Sequence, residues 1–154
     1  MPIKKLLDSS KAKEIGQKLD ALFQKDSEIY GHQIKISTES IVNSWSHPSL
    51  LNNTMHTWIS YQDNEMMNPD GIIMFLDSIN PTFGERMFIE YLWFCKNPKS
   101  SFLLLKTALD FAKNKNIKYA FLSCVEKHPK LAKLQKVYER LGFVKDSSTY
   151  IKKL

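Results

Sequence analysis

An apolar run that leads directly into a helical pattern constrains this chain more than any other feature. From residue 86 to 95 the residues are β-branched, aromatic or large, and Glu90 is the only acid among them. Such a run is typical of a central strand covered on both faces. Pro98 ends the strand pattern, and Ser100 or Ser101 is expected to cap a helix that follows at once. The sequence therefore predicts a strand and a helix joined by one short link.

The start of this predicted helix is a candidate position for an anion. A helix N-terminus has N–H donors without intrahelical partners, and it carries the positive end of the helix dipole. Lys99 lies in the link and can add a cation. The pattern therefore predicts an anion-binding position where the strand passes into the helix.

Length and composition are typical of one globular domain, expected to span residues 1–154. Of these residues, 43% are apolar and 25% charged, which suffices for a single core. No apolar run approaches transmembrane length, and Asp8 interrupts the N-terminal segment before a signal-peptide apolar region can form. We therefore expect a cytoplasmic protein with no membrane partner.

The cysteines and the charge narrow the choice of partners. Cys95 and Cys124 both lie in apolar, strand-like runs, which is typical of reduced core thiols. No Cys/His spacing matches a zinc site, so no metal is expected. The formal net charge of +6 permits a polyanionic partner. Because the lysines are spread along the chain without a recognisable motif, nucleic acid is the weaker alternative.

Hydrophobic periodicity predicts the elements around the central strand and helix. Spacings of three and four predict a first helix that starts at Ser9 or Ser10 and frays at residues 24–26. A short extended piece over 33–37 and a second helix over 38–45 follow. Further strands are predicted over 54–61, 71–79 and 117–125, a last helix from Pro129 to Gly142, and two short closing strands over 143–145 and 149–152.

The connections between these elements predict the topology. Turns are expected at residues 68–71, where Gly71 would supply a positive φ, and at 80–84, so the three strands form an antiparallel meander. A strand, a crossover helix and another strand form a βαβ unit, so the strand over 117–125 should lie parallel to the central strand. The predicted fold class is α/β (mixed α+β), a single sheet with an antiparallel meander, then a parallel βαβ pair, and helices on both faces.

This order of elements, together with the segment 137–144, resembles the GNAT N-acetyltransferase superfamily. The segment reads Val-Tyr-Glu-Arg-Leu-Gly-Phe-Val, and in that family a Leu/Val-Tyr-Glu-x-x-Gly-Phe segment ends the last helix. Residues 91–109 and 117–144 resemble the two family blocks that cradle the pyrophosphate of acetyl-CoA. The resemblance covers the chain from about Thr54 onward. It implies direct transfer of an acetyl group from acetyl-CoA to an amine acceptor, either a small molecule or a protein.

The link between the central strand and its helix departs from the family pattern. The family usually has Arg/Gln-x-x-Gly-x-Gly/Ala there, whereas residues 97–102 read Asn-Pro-Lys-Ser-Ser-Phe, with no glycine. Glycine lets a backbone approach phosphate without an intervening Cβ. Short, glycine-poor versions of this kind resemble GNAT-like proteins found in phage genomes. The alternative is therefore a catalytically silent GNAT-fold module with a structural or protein-binding role, for instance in a virus particle.

The resemblance also implies roles for individual residues. Tyr138 matches the tyrosine that in many GNAT enzymes protonates the departing CoA thiolate, and a phenol pKa of about 10 suits that role. Glu90 matches the family's general base on the central strand, and Glu85 is a second candidate. The backbone groups of Phe94 and Cys95 would meet the pantetheine arm as a neighbouring strand would. Four residues would meet the pyrophosphate: Lys99, Ser100, Ser101 and Phe102.

Each of these residues also has a purely structural explanation. Tyr138 lies in an apolar stripe, where a core tyrosine with a satisfied hydroxyl is common. Glu90 could pair with a Lys or Arg of a neighbouring strand, and the serines could serve only as helix caps. The sequence leaves the acceptor and the oligomeric state open.

Overall fold

The structure is a computed structural model. It describes residues 2–30, 37–47, 50–64, 66, 68–82, 84–124 and 130–146. The elements are β1 (Ile3–Lys5), α1 (Ala12–Tyr30), α2 (Thr38–Ser46), β2 (Met55–Tyr61), β3 (Pro69–Ile79), β4 (Arg86–Cys95), α3 (Pro98–Asn114), β5 (Tyr119–Phe121) and α4 (Leu131–Arg140). The chain divides into two compact units, Met1–Ser123 and Cys124–Leu154. The expectation of one domain over 1–154 stays a prediction.

The first unit contains a five-stranded sheet with the strand order β1-β2-β3-β4-β5. Neighbours from β1 to β4 are antiparallel, and β5 runs parallel to β4 after the crossover through α3. This confirms the predicted meander and parallel pair. The sequence prediction missed β1, which pairs Ile3 with Ser60 and Lys5 with Trp58. A three-residue strand with two lysines gives no alternating apolar signal.

Helices cover both faces of this sheet, as predicted. On one face α1 and α2 bury Leu19, Phe23 and Trp45 against a core that includes Ile72 and Met74. On the other face α3 buries Leu104, Leu105 and Ala108 against the aromatic pair Phe75 and Phe88, whose ring centroids are 4.2 Å apart. Each large apolar side chain that is fully buried contributes about 1.5–3 kcal/mol, so both layers hold the sheet.

Helix ends differ from the sequence prediction at two places. α1 does not fray at residues 24–26 but continues to Tyr30. A 3₁₀ turn over Ser9–Lys11 precedes it, and Asp8, rather than Ser9 or Ser10, caps that turn by accepting the Ser10 N–H at 2.8 Å. The cap of α3 is Asn97, so the prediction of Ser100 or Ser101 is wrong. Pro98 occupies the first turn of α3, where its fixed φ suits a helix, and the helix therefore begins earlier than expected.

The predicted turn at residues 68–71 is also wrong. β3 already begins at Pro69, and the chain reverses over 62–68, where the Asp63 carboxylate accepts the Asn68 backbone N–H at 3.1 Å. Gly71 is required for a different reason. A Cβ at this position would lie 2.5 Å from Cys95 Sγ and 2.6 Å from Ser60 Oγ, so the glycine makes room for two side chains.

After α3, the described strands cover fewer residues than predicted. β5 covers Tyr119–Phe121 rather than residues 117–125. In the second unit, Gly142 with φ of +84° ends α4, as predicted. The Phe143 N–H bonds the Tyr138 carbonyl at 3.0 Å, which completes the usual glycine stop. Residues 143–145 are not a strand. The predictions that fall on residues 33–36, 125–129 and 149–152 lie outside the described residues.

Candidate active site

β4 and β5 pair over three residues, up to the end of β5 at Phe121. Their register joins Met87 to Tyr119, Phe88 to Ala120 and Ile89 to Phe121. Beyond Ile89 no register pair joins the two strands in the part of the chain that the structure describes, although β4 continues to Cys95. Among the described residues, the second half of β4 therefore has an edge without a strand partner, which is the kind of edge that accepts an extended ligand.

A β-bulge in β4 lies just after the residues that pair with β5. Phe75 of β3 is opposite Glu90 and Met74 is opposite Leu92, so Tyr91 is the extra residue, and it is 60% exposed. A bulge bends its strand and increases the local twist. The direction of β4 therefore changes directly after the residues that pair with β5.

Glu90 is the residue that lies directly before the bulge. It is partly buried, and its Oε2 accepts the backbone N–H of Ser123 at 2.9 Å, just after β5 ends. Burial raises the pKa of Glu90 to about 7, and the hydrogen bond from Ser123 acts in the opposite direction. Among the described residues no Lys or Arg forms an ion pair with it. A carboxyl of this kind can take up and release a proton near neutral pH.

Glu85 is in a different situation. It precedes β4 and forms an ion pair with Lys118, with 2.9 Å between Oε1 and Nζ. Its side chain is therefore engaged at the end of β4 that is paired with β5. The geometry favours Glu90 over Glu85 as a proton acceptor beside the part of β4 that does not pair with β5.

The start of α3 has fewer open donors than the sequence suggests. Asn97 Oδ1 accepts the Lys99 N–H at 2.9 Å, and the Asn97 carbonyl accepts the Ser101 N–H at 2.9 Å. Pro98 has no N–H to offer. Asn97 therefore occupies one of the backbone donors that the sequence left open for an anion.

The side chains predicted to meet a pyrophosphate differ in exposure. Ser100 is fully buried, so its hydroxyl faces the protein interior. Lys99 is exposed, Ser101 is partly exposed, and Phe102 is 46% exposed. The structure therefore leaves three of the four predicted residues at the surface of the first turn of α3.

Phe94 and Cys95 end β4 beside this turn. Phe94 packs against the core under α1 and α2, while Cys95 faces the α3 side. The Cys95 thiol donates to the Asn97 carbonyl at 3.3 Å, and burial raises the pKa of this thiol. A thiol held in its protonated form is a poor nucleophile, so its environment does not favour an acyl-cysteine step.

Tyr138 belongs to the second unit. It lies in α4, is partly buried, and has its ring centroid 6.0 Å from that of Phe143. None of the residues in α4 is fully buried. The role of Tyr138 as an acid stays a prediction.

A buried polar pair that was not expected from the sequence lies beside the C-terminal end of β4. Ser60 and Asp70, at most 2% exposed, are joined by a hydrogen bond of 2.6 Å between Ser60 Oγ and Asp70 Oδ1. The sequence signal was the motif at 68–71, which was interpreted as a turn. A polar residue beside a glycine in a strand can equally mark a bulge.

A second polar network lies at the opposite end of the sheet. Arg86 donates to both oxygens of the buried Asp77, with 2.7 Å from Nε to Oδ1, and His56 Nε2 lies 3.4 Å from Asp77 Oδ2. Burial is the main cause that lowers the pKa of His56 to about 4, and the nearby Lys5 charge acts in the same direction. The imidazole is therefore neutral at pH 7 and serves the packing of this end.

Two further features of the described residues concern metal binding and membrane insertion. No three His, Cys, Asp or Glu side chains within those ranges gather where they could hold a metal ion. None of the helices there combines the length and the apolar character needed to cross a membrane.

Solved acetyltransferase structures share the fold along the whole chain. The ribosomal-protein-alanine N-acetyltransferase of Brucella melitensis biovar Abortus 2308 is 16% identical, with 100% of both chains covered and a TM-score of 0.67. A protein described as a predicted acetyltransferase with acetyl-CoA, from Clostridium acetobutylicum, is 15% identical over 99% of this chain and 95% of its own, with a TM-score of 0.67. An aminoglycoside acetyltransferase from an uncultured soil metagenomic sample, in complex with sisomicin, is 11% identical over 99% of this chain and 96% of its own, with a TM-score of 0.70.

No protein-family model matches the sequence, and no curated protein matches it significantly. The likeness to the solved structures is therefore one of architecture. It confirms the resemblance and the fold class predicted from the sequence, one mixed sheet with a parallel β4–β5 pair. The protein has the fold of the GNAT acetyltransferases.

Proposed function

We propose that this protein is an acyl-CoA-dependent N-acetyltransferase that moves an acetyl group from acetyl-CoA to an amine by direct transfer. The observation that carries the proposal is the end of the β4–β5 pairing at Ile89, with the partly buried Glu90 directly after it. The choice of donor is supported by solved structures of this fold that are acetyltransferases, one of them with acetyl-CoA. The amine acceptor, a small molecule or a protein, is not specified by these observations.

The open edge of β4 fits the extended arm of acetyl-CoA. The pantetheine would lie along this edge and bond the backbone groups of Phe94 and Cys95, as an added strand does. The pyrophosphate would lie at the first turn of α3, where the exposed Lys99 supplies a cation and the helix dipole its positive end. Because Ser100 is buried, Ser101 is the better hydroxyl for a phosphate oxygen, with Phe102 beside it.

Glu90 and Tyr138 divide the proton transfers between them in this proposal. Acetyl-CoA supplies a thioester when it is bound. Glu90 takes the proton of the acceptor ammonium, directly or through a water, which frees the nitrogen lone pair to attack the carbonyl carbon. Backbone N–H groups of β4 donate to the carbonyl oxygen as its negative charge develops. The C–N bond forms, the C–S bond breaks, and Tyr138 gives its proton to the departing thiolate. The nitrogen loses its second proton as it becomes an amide, and that proton restores the Tyr138 phenol through solvent.

Titration calorimetry with acetyl-CoA tests the first step. We expect a Kd below about 1 mM, and no heat at that concentration would exclude the proposal. A thiol-release assay with a panel of amines tests the second step. Glu90→Gln should lower kcat/KM by about 10²–10⁴-fold with unchanged acetyl-CoA affinity, because a general base acts on the acceptor and not on the donor. Glu85→Gln is the matched control and should leave kcat/KM unchanged.

The second candidate function is the catalytically silent module with a structural or protein-binding role. One observation favours it, namely that Asn97 caps α3 in a link that has no glycine. A cap of this kind occupies donors that would otherwise meet phosphate. The silent module is favoured if the folded protein shows no calorimetric response to acetyl-CoA or to CoA.

A further inference from the structure

A cleft of about 490 Å³ lies at the end of the sheet where β2 and β4 finish and β3 begins. It is lined by Gln62, Asp70, Lys96, Asn97 and Pro98. The cleft is on the β3 side of β4, whereas the open edge proposed for acetyl-CoA is on the β5 side. At about 3.3 Å per residue, Glu90 lies about 15 Å from this end of β4, so it does not serve the cleft.

Asp70 reaches the cleft through a β-bulge. Ser60 is opposite Gly71 and Tyr61 is opposite Pro69, so Asp70 is the extra residue of β3. Its carbonyl accepts the Lys96 N–H at 3.0 Å, which ties the bulge to the end of β4. A bulge redirects the side chain of the extra residue. Asp70 is nevertheless only 2% exposed, so this is a buried acid at the base of an open cleft.

The charge of Asp70 is only partly compensated by the protein. Ser60 Oγ donates to Oδ1 at 2.6 Å, and this is the hydrogen bond that the described residues give to the carboxylate. No Lys, Arg or His in those residues forms an ion pair with it. A buried carboxylate normally has several donors or a cation, because its desolvation is costly. The second oxygen, Oδ2, is therefore a candidate acceptor for a cationic ligand.

The charge at the mouth of the cleft has the opposite sign. Lys96 lines the cleft and is exposed. A ligand with an ammonium group alone would meet Asp70 but also the repulsion of Lys96. A ligand that carries an ammonium at one end and a carboxylate at the other would satisfy both side chains.

We propose that this cleft binds a small zwitterion of the amino-acid class, with its ammonium on Asp70 Oδ2 and its carboxylate at Lys96. The site shares Asn97 and Pro98 with the start of α3, and its role is separate from the proton transfers assigned to Glu90 and Tyr138. Gly71 keeps it tightly built, because a Cβ there would lie 2.6 Å from Ser60 Oγ, the hydroxyl that holds Asp70.

The test uses the full chain and three probes of equal length. These are γ-aminobutyrate, n-butylamine and butyrate, each titrated to about 20 mM with amide chemical shifts as the readout. We expect γ-aminobutyrate to bind with shifts at the Gly71 and Lys96 amides, n-butylamine to bind several-fold more weakly, and butyrate to bind least. Butyrate that binds better than n-butylamine would overturn the proposal, and so would the absence of binding by every probe.

Substitutions test which residue binds each end of the ligand. Asp70→Asn keeps the shape of the side chain and the hydrogen bond from Ser60. It should lower the affinity for γ-aminobutyrate and for n-butylamine by about tenfold or more. Lys96→Gln, at an exposed position, should reduce the affinity for γ-aminobutyrate to that for n-butylamine. The affinity for n-butylamine should be unchanged or slightly higher. Asp110 is an exposed acid on α3, and Asp110→Asn is the control, which should leave the affinity for both amines unchanged. Unaltered γ-aminobutyrate binding in Asp70→Asn, or in Lys96→Gln if Asp70→Asn does not fold, would refute the assignment.

Discussion

Glu90→Gln should stabilise the protein in alkaline solution and have little effect in acid. The pKa of this carboxyl is about 7 in the folded chain, against an ordinary value of 4.5. Below pH 4.5 the carboxyl is protonated in both states. As the pH rises from 4.5 to 7 the unfolded chain releases the proton first, so the free energy of unfolding falls. Above pH 7 the penalty is complete and amounts to up to about 3 kcal/mol, at about 1.4 kcal/mol for each tenfold change in proton affinity.

Glutamine removes this penalty because it is neutral at every pH and can still accept the Ser123 N–H. Urea unfolding followed by the fluorescence of the three tryptophans measures the effect. The variant minus wild-type difference should be near zero at about pH 4 and about 2–3 kcal/mol at about pH 8.5. Other titrating groups cancel in this difference.

Glu85→Gln supplies the comparison, because it breaks an exposed ion pair with Lys118 and should cost at most about 1 kcal/mol. The reasoning is refuted if Glu90→Gln has the same effect at both pH values. Such a result would mean that Glu90 is already ionised in the folded protein at neutral pH.

Three further predictions follow from the same structure. The contribution of His56 to the free energy of unfolding should fall by up to about 3 kcal/mol as the pH drops from 6.5 to about 4, because the pKa of His56 is lowered to about 4 in the folded chain. Urea titrations measure it as the wild-type minus His56→Phe difference, in which the opposite contribution of Glu90 cancels. Gly71→Ala should cost about 1–3 kcal/mol through the contact with Cys95 Sγ, and a double-mutant cycle with Cys95→Ala should recover part of the loss. Tyr138→Phe should lower turnover with thioester donors while calorimetry shows unchanged acetyl-CoA affinity. Equal turnover in Tyr138→Phe would remove this residue from the proposed mechanism.

The strand-to-helix stretch was predictable because its signals are local. The apolar run 86–95 and the stripe that includes Leu104 and Leu105 each indicate their element without knowledge of neighbours. The burial of Glu90 also follows from the residues around it. Its hydrogen bond with Ser123 does not, because that contact depends on where β5 ends.

The bulges and the cap of α3 could not be predicted in the same way. A bulge is defined by the register between two strands, so neither Tyr91 nor Asp70 is marked by its own sequence. Pro98 is compatible both with the end of a strand and with the first turn of a helix, and only the geometry of Asn97 decides between them. The prediction of a turn at 68–71 failed because Pro, Asp and Gly favour turns locally, whereas Pro69 and Gly71 are paired in the sheet with residues of β2 and β4.

The first and last described strands of the sheet differ from its central strands in how readily another chain can pair with them. In the part of the chain that the structure describes, the first and last strands of the sheet, β1 and β5, have only three residues each, and lysines at positions 4, 5 and 118 lie in or beside them. Short, charged edge strands discourage one molecule from extending the sheet of another. Among the same residues, a longer stretch of backbone without a strand partner lies along the second half of β4. The arrangement of these strands therefore combines edges unsuited to pairing between molecules with one edge suited to an extended ligand.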